Sequence, residues 1–187
     1  MSIPDMMVVL WLLFAVYWLI AAIGVKRNIR TENRLQRTGL RIALIVVILL
    51  FFRVPEIRQE LQQLRNLDSQ FAIQFAGLLL CVCGIGIAVW ARLHLGRNWG
   101  HPMTLKAGHE LVTSGPYRFV RHPIYMGILV AMLGSALVNP LWAVALVCAT
   151  VYFVYCARTE ERIMMRQFPI EYPEYRQRTK ALMPFVW

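Results

Sequence analysis

Charges punctuate this chain rather than pervade it, and the apolar blocks between them have the lengths of helices. Met6–Val25 runs twenty residues without a charge, enough to cross a hydrocarbon core of ~30 Å at ~1.5 Å per residue. Leu40–Val54 is shorter and holds Arg41 and Arg53 near its ends, where long side chains snorkel toward headgroups. Phe71–Ala91 is uncharged and interrupted only by Gln74. Ile124–Val138 and Leu141–Ala157 follow, separated by Asn139-Pro140, a turn residue and a proline suited to the first position of a helix. The pattern predicts an all-α integral membrane protein with five transmembrane helices, the last two a short helical hairpin.

Composition agrees. Apolar residues make up 58% of the chain and mean hydropathy is +0.51, too apolar for an ordinary soluble domain. No repeat, low-complexity tract or long linker divides the sequence, so 1–187 reads as one membrane domain. Within it, 1–70 holds helices 1 and 2 with their loops, and 71–187 forms the core. Gly127, Ala131 and Ser135 recur every four residues, a small-residue face that predicts close approach to a neighbouring helix.

The first block lacks the basic flank of a signal peptide: Asp5 precedes it, and Lys26, Arg27 and Arg30 follow. This order anchors the helix with its N-terminus outside. The segments after the first, third and fifth blocks, with Arg41 at the near end of the second block, hold 17 of the 20 Lys and Arg residues. The positive-inside rule therefore puts both loops and the C-terminal tail in the cytoplasm. The net charge of +10 sits beside membrane helices, where anionic membrane lipids are the nearer partner. No zinc-finger spacing or basic soluble stripe points to nucleic acid.

Cys81, Cys83, Cys148 and Cys156 fall in or at the end of apolar helices and read as small buried residues, since no C-x-x-C spacing is present. His94, His101, His109 and His122 lie in the stretch from 94 to 122. None pairs with another at i, i+3 or i+4, and no Cys or Asp completes a ligand set there, so no metal is expected.

The segment Leu93–Arg121 is long for a bare connector. It carries Trp99, Met103, Leu105, Leu111, Val112, Tyr117 and Phe119, residues that bury surface rather than stay disordered. Arg158–Trp187 reads as partly helical, with a break at Pro169, tyrosines at 172 and 175, and an apolar end that docks on the bundle or in the interface. Glu160-Glu161 follows Arg158 at the end of the fifth block. This is either a solvated helix terminus or a place where a carboxylate binds a cation and an arginine holds an anion. Tyr117 and Tyr125 offer flat faces for a purine or a sulfonium.

Three stretches resemble the isoprenylcysteine carboxyl methyltransferase family: L-H-L-G-R-N-W-G at 93–100, H-E-L-V-T-S-G-P-Y-R-F-V-R-H-P-I-Y at 109–125, and R-T-E-E with F-P-I-E-Y-P-E-Y at 158–175. The looser form, R-H-P-x-Y with a distant E-E, is also similar to phospholipid N-methyltransferases and, more remotely, to membrane sterol reductases. The family's F-G before the tyrosine pair is Phe168-Pro169 here.

The resemblance implies a methyltransferase-like core at 71–187 and S-adenosylmethionine as cofactor. It places His109, Leu111, Val112, Tyr117, His122, Pro123, Ile124, Tyr125 and Glu160 around that cofactor. It also gives Arg158 to the acceptor as catalytic candidate, while Glu161 or His122 would gain a role if a proton had to leave. The acceptor implied is a lipophilic small molecule or lipidated substrate entering from the bilayer and methylated on a carboxylate or similar group. Phospholipid N-methylation and a non-catalytic ligand-binding or scaffold role are the alternatives. No G-x-G-x-x-G unit is present to hold a nicotinamide cofactor.

Overall fold

The computed structural model describes residues 1–23, 28–31, 38, 39, 42, 71–96, 99, 104–106 and 111–183. The chain opens on helix α1, Ile3–Ala21, started by a capping box in which Ser2 Oγ accepts from the Asp5 amide and Asp5 accepts from the Ser2 amide. Helix α2 spans Phe71–Leu95, α3 Pro123–Val138, α4 Trp142–Gln167 and α5 Glu171–Arg178. Among the described residues, α1, α2 and α4 are long and apolar enough to cross a membrane, and α3 is a shorter apolar helix. Val8, Leu12, Leu13, Val16 and Leu19 of α1 and Leu79 and Val82 of α2 are exposed, as side chains that face lipid would be. Apart from Ile42, the expected second helix, Leu40–Val54, lies outside the described residues.

The core is an antiparallel contact between α2 and α3 with almost no side chain in it. A Cβ on Gly127 would stand 2.6 Å from the Gly84 carbonyl oxygen and 2.7 Å from the Ala88 nitrogen. A turn or two away, Gly77 faces the Gly134 carbonyl at 2.7 Å in the same sense. The face of Gly127 and Ala131 thus meets a matching one of Gly77, Gly84 and Ala88, and without a Cβ the backbones come together. Ser135 belongs to the same face and reaches α1, accepting from Trp11 Nε1 at 3.0 Å.

Helix α1 runs parallel to α2. Met7 packs with Leu78 and Cys81 at one end. At the other, the Arg92 guanidinium donates to the Ala21 carbonyl and Trp18 meets Trp99 edge-on at 5.6 Å. The C-terminal ends of α1 and α2 therefore share one end of the bundle with the start of α3 and the close of α4. A two-stranded ribbon pairs β1, Asn28–Thr31, antiparallel with β2, Thr104–Lys106. Sequence pattern did not anticipate it, because neither segment alternates.

The last two helices form the expected hairpin, but only its first arm, α3, is short. Asn139 and Pro140 do make the turn, with Asn139 Oδ1 accepting from the Leu141 amide at 3.1 Å. Helix α4, however, continues past Ala157 to Gln167. Hydropathy falls at Arg158, but Thr159 to Gln167 contains no breaker before Phe168-Pro169, and helix propensity carries the backbone on. Of the cysteines, Cys81 and Cys156 are buried as expected, whereas Cys83 is exposed.

Candidate active site

The site begins where α2 stops. Gly96, at φ 53°, ends α2 in the left-handed conformation open to glycine. Gly115, at φ 59°, turns the returning chain into the short 3-10 helix Gly115–Arg118. A Cβ on Gly115 would meet the His94 ring at 2.7 Å, and His94 Nε2 in turn lies 2.9 Å from Ser114 Oγ. This turn delivers Tyr117 into the core, where its hydroxyl donates to the Ala91 carbonyl at 3.4 Å. Burial pushes the Tyr117 phenol far above its ordinary pKa, so it acts as a neutral donor.

Residues 120–122 are then clasped by the end of the chain. Val120 pairs with Lys180 in a parallel bridge, the Arg121 amide donates to the Lys180 carbonyl at 2.8 Å, and the His122 amide donates to the Ala181 carbonyl at 3.0 Å. Tyr175 on α5 donates its hydroxyl to the Tyr117 carbonyl at 2.6 Å. Ala181 and Leu182 are buried and Met183 is exposed; the rest of the apolar end expected to dock, 184–187, lies outside the described residues.

Held in this way, His122 precedes Pro123, the first residue of α3, and one turn later comes Tyr125. The Tyr125 ring stacks on His122 at 5.5 Å and on Phe153 of α4 at 4.7 Å. Its hydroxyl donates to Glu160 Oε1. His122 Nδ1 is 3.4 Å from Glu160 Oε2. His122 Nε2 lies 3.6 Å from Glu161 Oε1, within ion-pair reach but too long for a hydrogen bond, so this buried nitrogen has no hydrogen-bond partner. Arg121 closes the cluster, with Nε and a terminal nitrogen each 2.7 Å from Glu161 Oε1. Arg176 Nε reaches Glu161 Oε2 at 3.5 Å. Burial alone would lower the His122 pKa, but Glu160 and Glu161 outweigh it, so the ring titrates above its ordinary 6.5.

The structure thus unites His122, Tyr125, Glu160 and Glu161. Tyr117, Ile124 and Tyr125 share one buried cluster, with Val112 against it, and Pro123 is fully buried. Leu111 lies elsewhere, lining a cleft of about 680 Å³ with Thr113, Arg118, Glu171, Tyr175 and Thr179. Arg158 is exposed on α4, and His109 lies outside the described residues. Motif reading passed over Arg121 and the strap at 179–182. Arg121 stands inside the R-H-P string, but its partners lie tens of residues downstream. Among the described residues, no three His, Cys, Asp or Glu are grouped to hold a metal.

An apolar helix bundle with a buried histidine and two carboxylates at one end defines a membrane enzyme rather than a plain anchor. Residues 72–170 match the family described as phospholipid methyltransferase. A rice (Oryza sativa subsp. indica) probable protein-S-isoprenylcysteine O-methyltransferase is 30% identical, over 91% of this chain and 88% of its own. Protein-S-isoprenylcysteine O-methyltransferase B of Arabidopsis thaliana is 28% identical over 84% and 83%. In three dimensions the chain is similar to the eukaryotic intramembrane Ras methyltransferase, isoprenylcysteine carboxyl methyltransferase. The TM-score is 0.55 at 24% identity, covering 83% of this chain and 54% of that one, about half its length. The chain belongs to the isoprenylcysteine carboxyl methyltransferase family, and it is a methyltransferase of that type.

Proposed function

We propose that the protein transfers a methyl group from S-adenosylmethionine to the carboxylate of a lipophilic, membrane-borne acceptor. The observation that carries this reading is the convergence of Tyr125, His122 and Glu160 at one end of the bundle. The residues suit such a donor: a carboxylate among aromatic faces favours a cation, and the buried His122 Nε2 lacks a hydrogen-bond partner. When bound, the cofactor supplies an electrophilic methyl on a positively charged sulfur. Glu160 would hold its hydroxyls or offset its charge. Tyr125, Tyr117, His122, Pro123, Ile124 and Val112 would line the pocket.

A carboxylate acceptor is ionised near neutral pH and needs no general base. Catalysis then reduces largely to alignment and exclusion of water. In that scheme Arg158 is the first candidate to orient the acceptor. Glu161, bound by Arg121, is a positioning residue that keeps His122 and the chain end in register. The methyltransferase core is 71–187. The shared end of α1 and α2 and the excess of basic residues support an outside N-terminus and a cytoplasmic active site.

Calorimetry of the detergent-purified protein with S-adenosylhomocysteine tests the cofactor. Saturable binding that weakens in Glu160→Ala is expected, and no binding across detergents would defeat the reading. Mass spectrometry of membrane extracts incubated with a deuterated methyl donor identifies the acceptor. A base-labile methyl ester supports the carboxylate, whereas labelled headgroup amines would favour phospholipid N-methylation, which the match at 72–170 keeps in view.

A further inference from the structure

Arg92 is the most heavily buried basic side chain among the described residues, only 5% exposed, and it meets carbonyls and a ring rather than a carboxylate there. One terminal nitrogen donates to the Gly96 carbonyl at 2.8 Å, the other to the Ala21 carbonyl, and the guanidinium lies 4.4 Å over the Trp99 ring. Its Nε is buried without a hydrogen-bond partner. Tyr17 and Tyr117 lie within electrostatic reach, and the Tyr17 hydroxyl is also buried and unpartnered. A buried cation with no carboxylate against it among the described residues leaves charge and a donor unsatisfied, at a cost that an anion would offset.

This seam adjoins the methyl-transfer site, because Ala91, Trp99, Tyr117 and Tyr125 share one buried cluster against which Trp18 packs. It also borders the helix held most lightly: Met7 is the one buried residue of α1. Resting on the methyltransferase reading above, we infer that Arg92 and Tyr17 form an anion subsite between α1 and α2 that receives the ionised carboxylate of the acceptor. The acceptor's chain enters sideways from the bilayer, and its carboxylate takes the place of the Ala21 carbonyl on the Arg92 fork. Arg158, exposed on α4, discriminates charge less than a buried guanidinium does.

The test uses the full-length protein in detergent and an amine-blocked S-farnesylcysteine, offered as the free carboxylate and as its primary amide. Binding is read by quenching of tryptophan fluorescence, with Trp18 and Trp99 beside the site. Wild type should bind the carboxylate at least about tenfold more tightly than the amide. Arg92→Gln should bring the ratio close to one while S-adenosylhomocysteine affinity stays as it was, and Tyr17→Phe should lower the ratio about threefold. Equal binding of the two probes by wild type overturns the proposal. So does discrimination kept in Arg92→Gln and lost in Arg158→Gln. Phosphatidylglycerol displacing the carboxylate probe as well as an excess of that probe does would assign the subsite to anionic lipid, and also overturns it. If Arg92→Gln does not fold, an unchanged ratio in both Arg92→Lys and Tyr17→Phe is the overturning result. Failure to bind S-adenosylhomocysteine with discrimination intact would instead sink the proposed S-adenosylmethionine cofactor and leave the subsite standing.

Discussion

Tyr125 on α3 gives its hydroxyl hydrogen to Glu160 on α4, and the two helices meet at the site through this bond. The ring it belongs to is already fixed between His122 and Phe153, so the carboxylate is aimed before any ligand arrives. Pre-orientation of this kind lowers the ordering cost of binding. Tyr125→Phe keeps the stack and removes the bond. S-adenosylhomocysteine affinity should fall about tenfold, near the upper end of what one hydrogen bond contributes, while the melting temperature changes little. Calorimetry beside a thermal melt separates these, and an unchanged affinity would mean that Glu160 is held by other groups.

The Arg121–Glu161 pair is expected to behave as structure. Their side chains are only 8% and 13% exposed, and Arg121 also donates to the carbonyls of Arg176 and Thr179. Removing one partner strands the other, so Glu161→Leu alone should destabilise by roughly 3–5 kcal/mol. The double variant Arg121→Met/Glu161→Leu should recover a large part of that loss, since no buried arginine is left without its carboxylate. Melts of the three proteins decide it. A double variant as unstable as the sum of its singles would show that the two side chains act independently.

Glycines at the α2–α3 contact give a sharper contrast. A Cβ on Gly84 would run into the backbone of Gly127 and Ala131, whereas one on Gly86 meets nothing within 4 Å. Gly84→Ala should therefore cost about 1–3 kcal/mol through forced separation of the helices, and Gly86→Ala should be neutral or mildly stabilising. Equal effects at the two positions, measured by detergent melts, would argue that the helices are not packed backbone to backbone.

These contrasts bear on what could be read in advance. The R-H-P-x-Y string and the E-E pair were legible because each is local, and the small-residue face of α3 because its period is helical. The length of α4 was not, because hydropathy marks where lipid ends and not where hydrogen bonding of the backbone ends. Arg92 lies at the edge of an apolar block and looks like any snorkelling residue. Its burial depends on α1 crossing parallel to α2, a tertiary fact with no signature in the pattern of either helix. The same holds for Arg121, whose carboxylate partner is forty positions away.

Histidine 122 supplies a pH dependence. Its ring is buried, which by itself opposes protonation, but Glu160 and Glu161 face it from α4 and Arg121 adjoins it. The carboxylates prevail and lift its pKa above 6.5. A group raised on folding contributes stability that is fully present below its unfolded value and is lost as pH climbs through the folded one. Thermal stability in detergent should therefore decline from about pH 6.5 upward, and His122→Gln should flatten that slope in the same window while leaving other titrations in place. The charged ring also offsets part of the Glu160 charge. Affinity for a cationic cofactor should accordingly rise relative to that for a neutral nucleoside as the histidine loses its proton. A wild-type melting curve that climbs over this range, or one that His122→Gln leaves untouched, would contradict the coupling between the histidine and the two carboxylates.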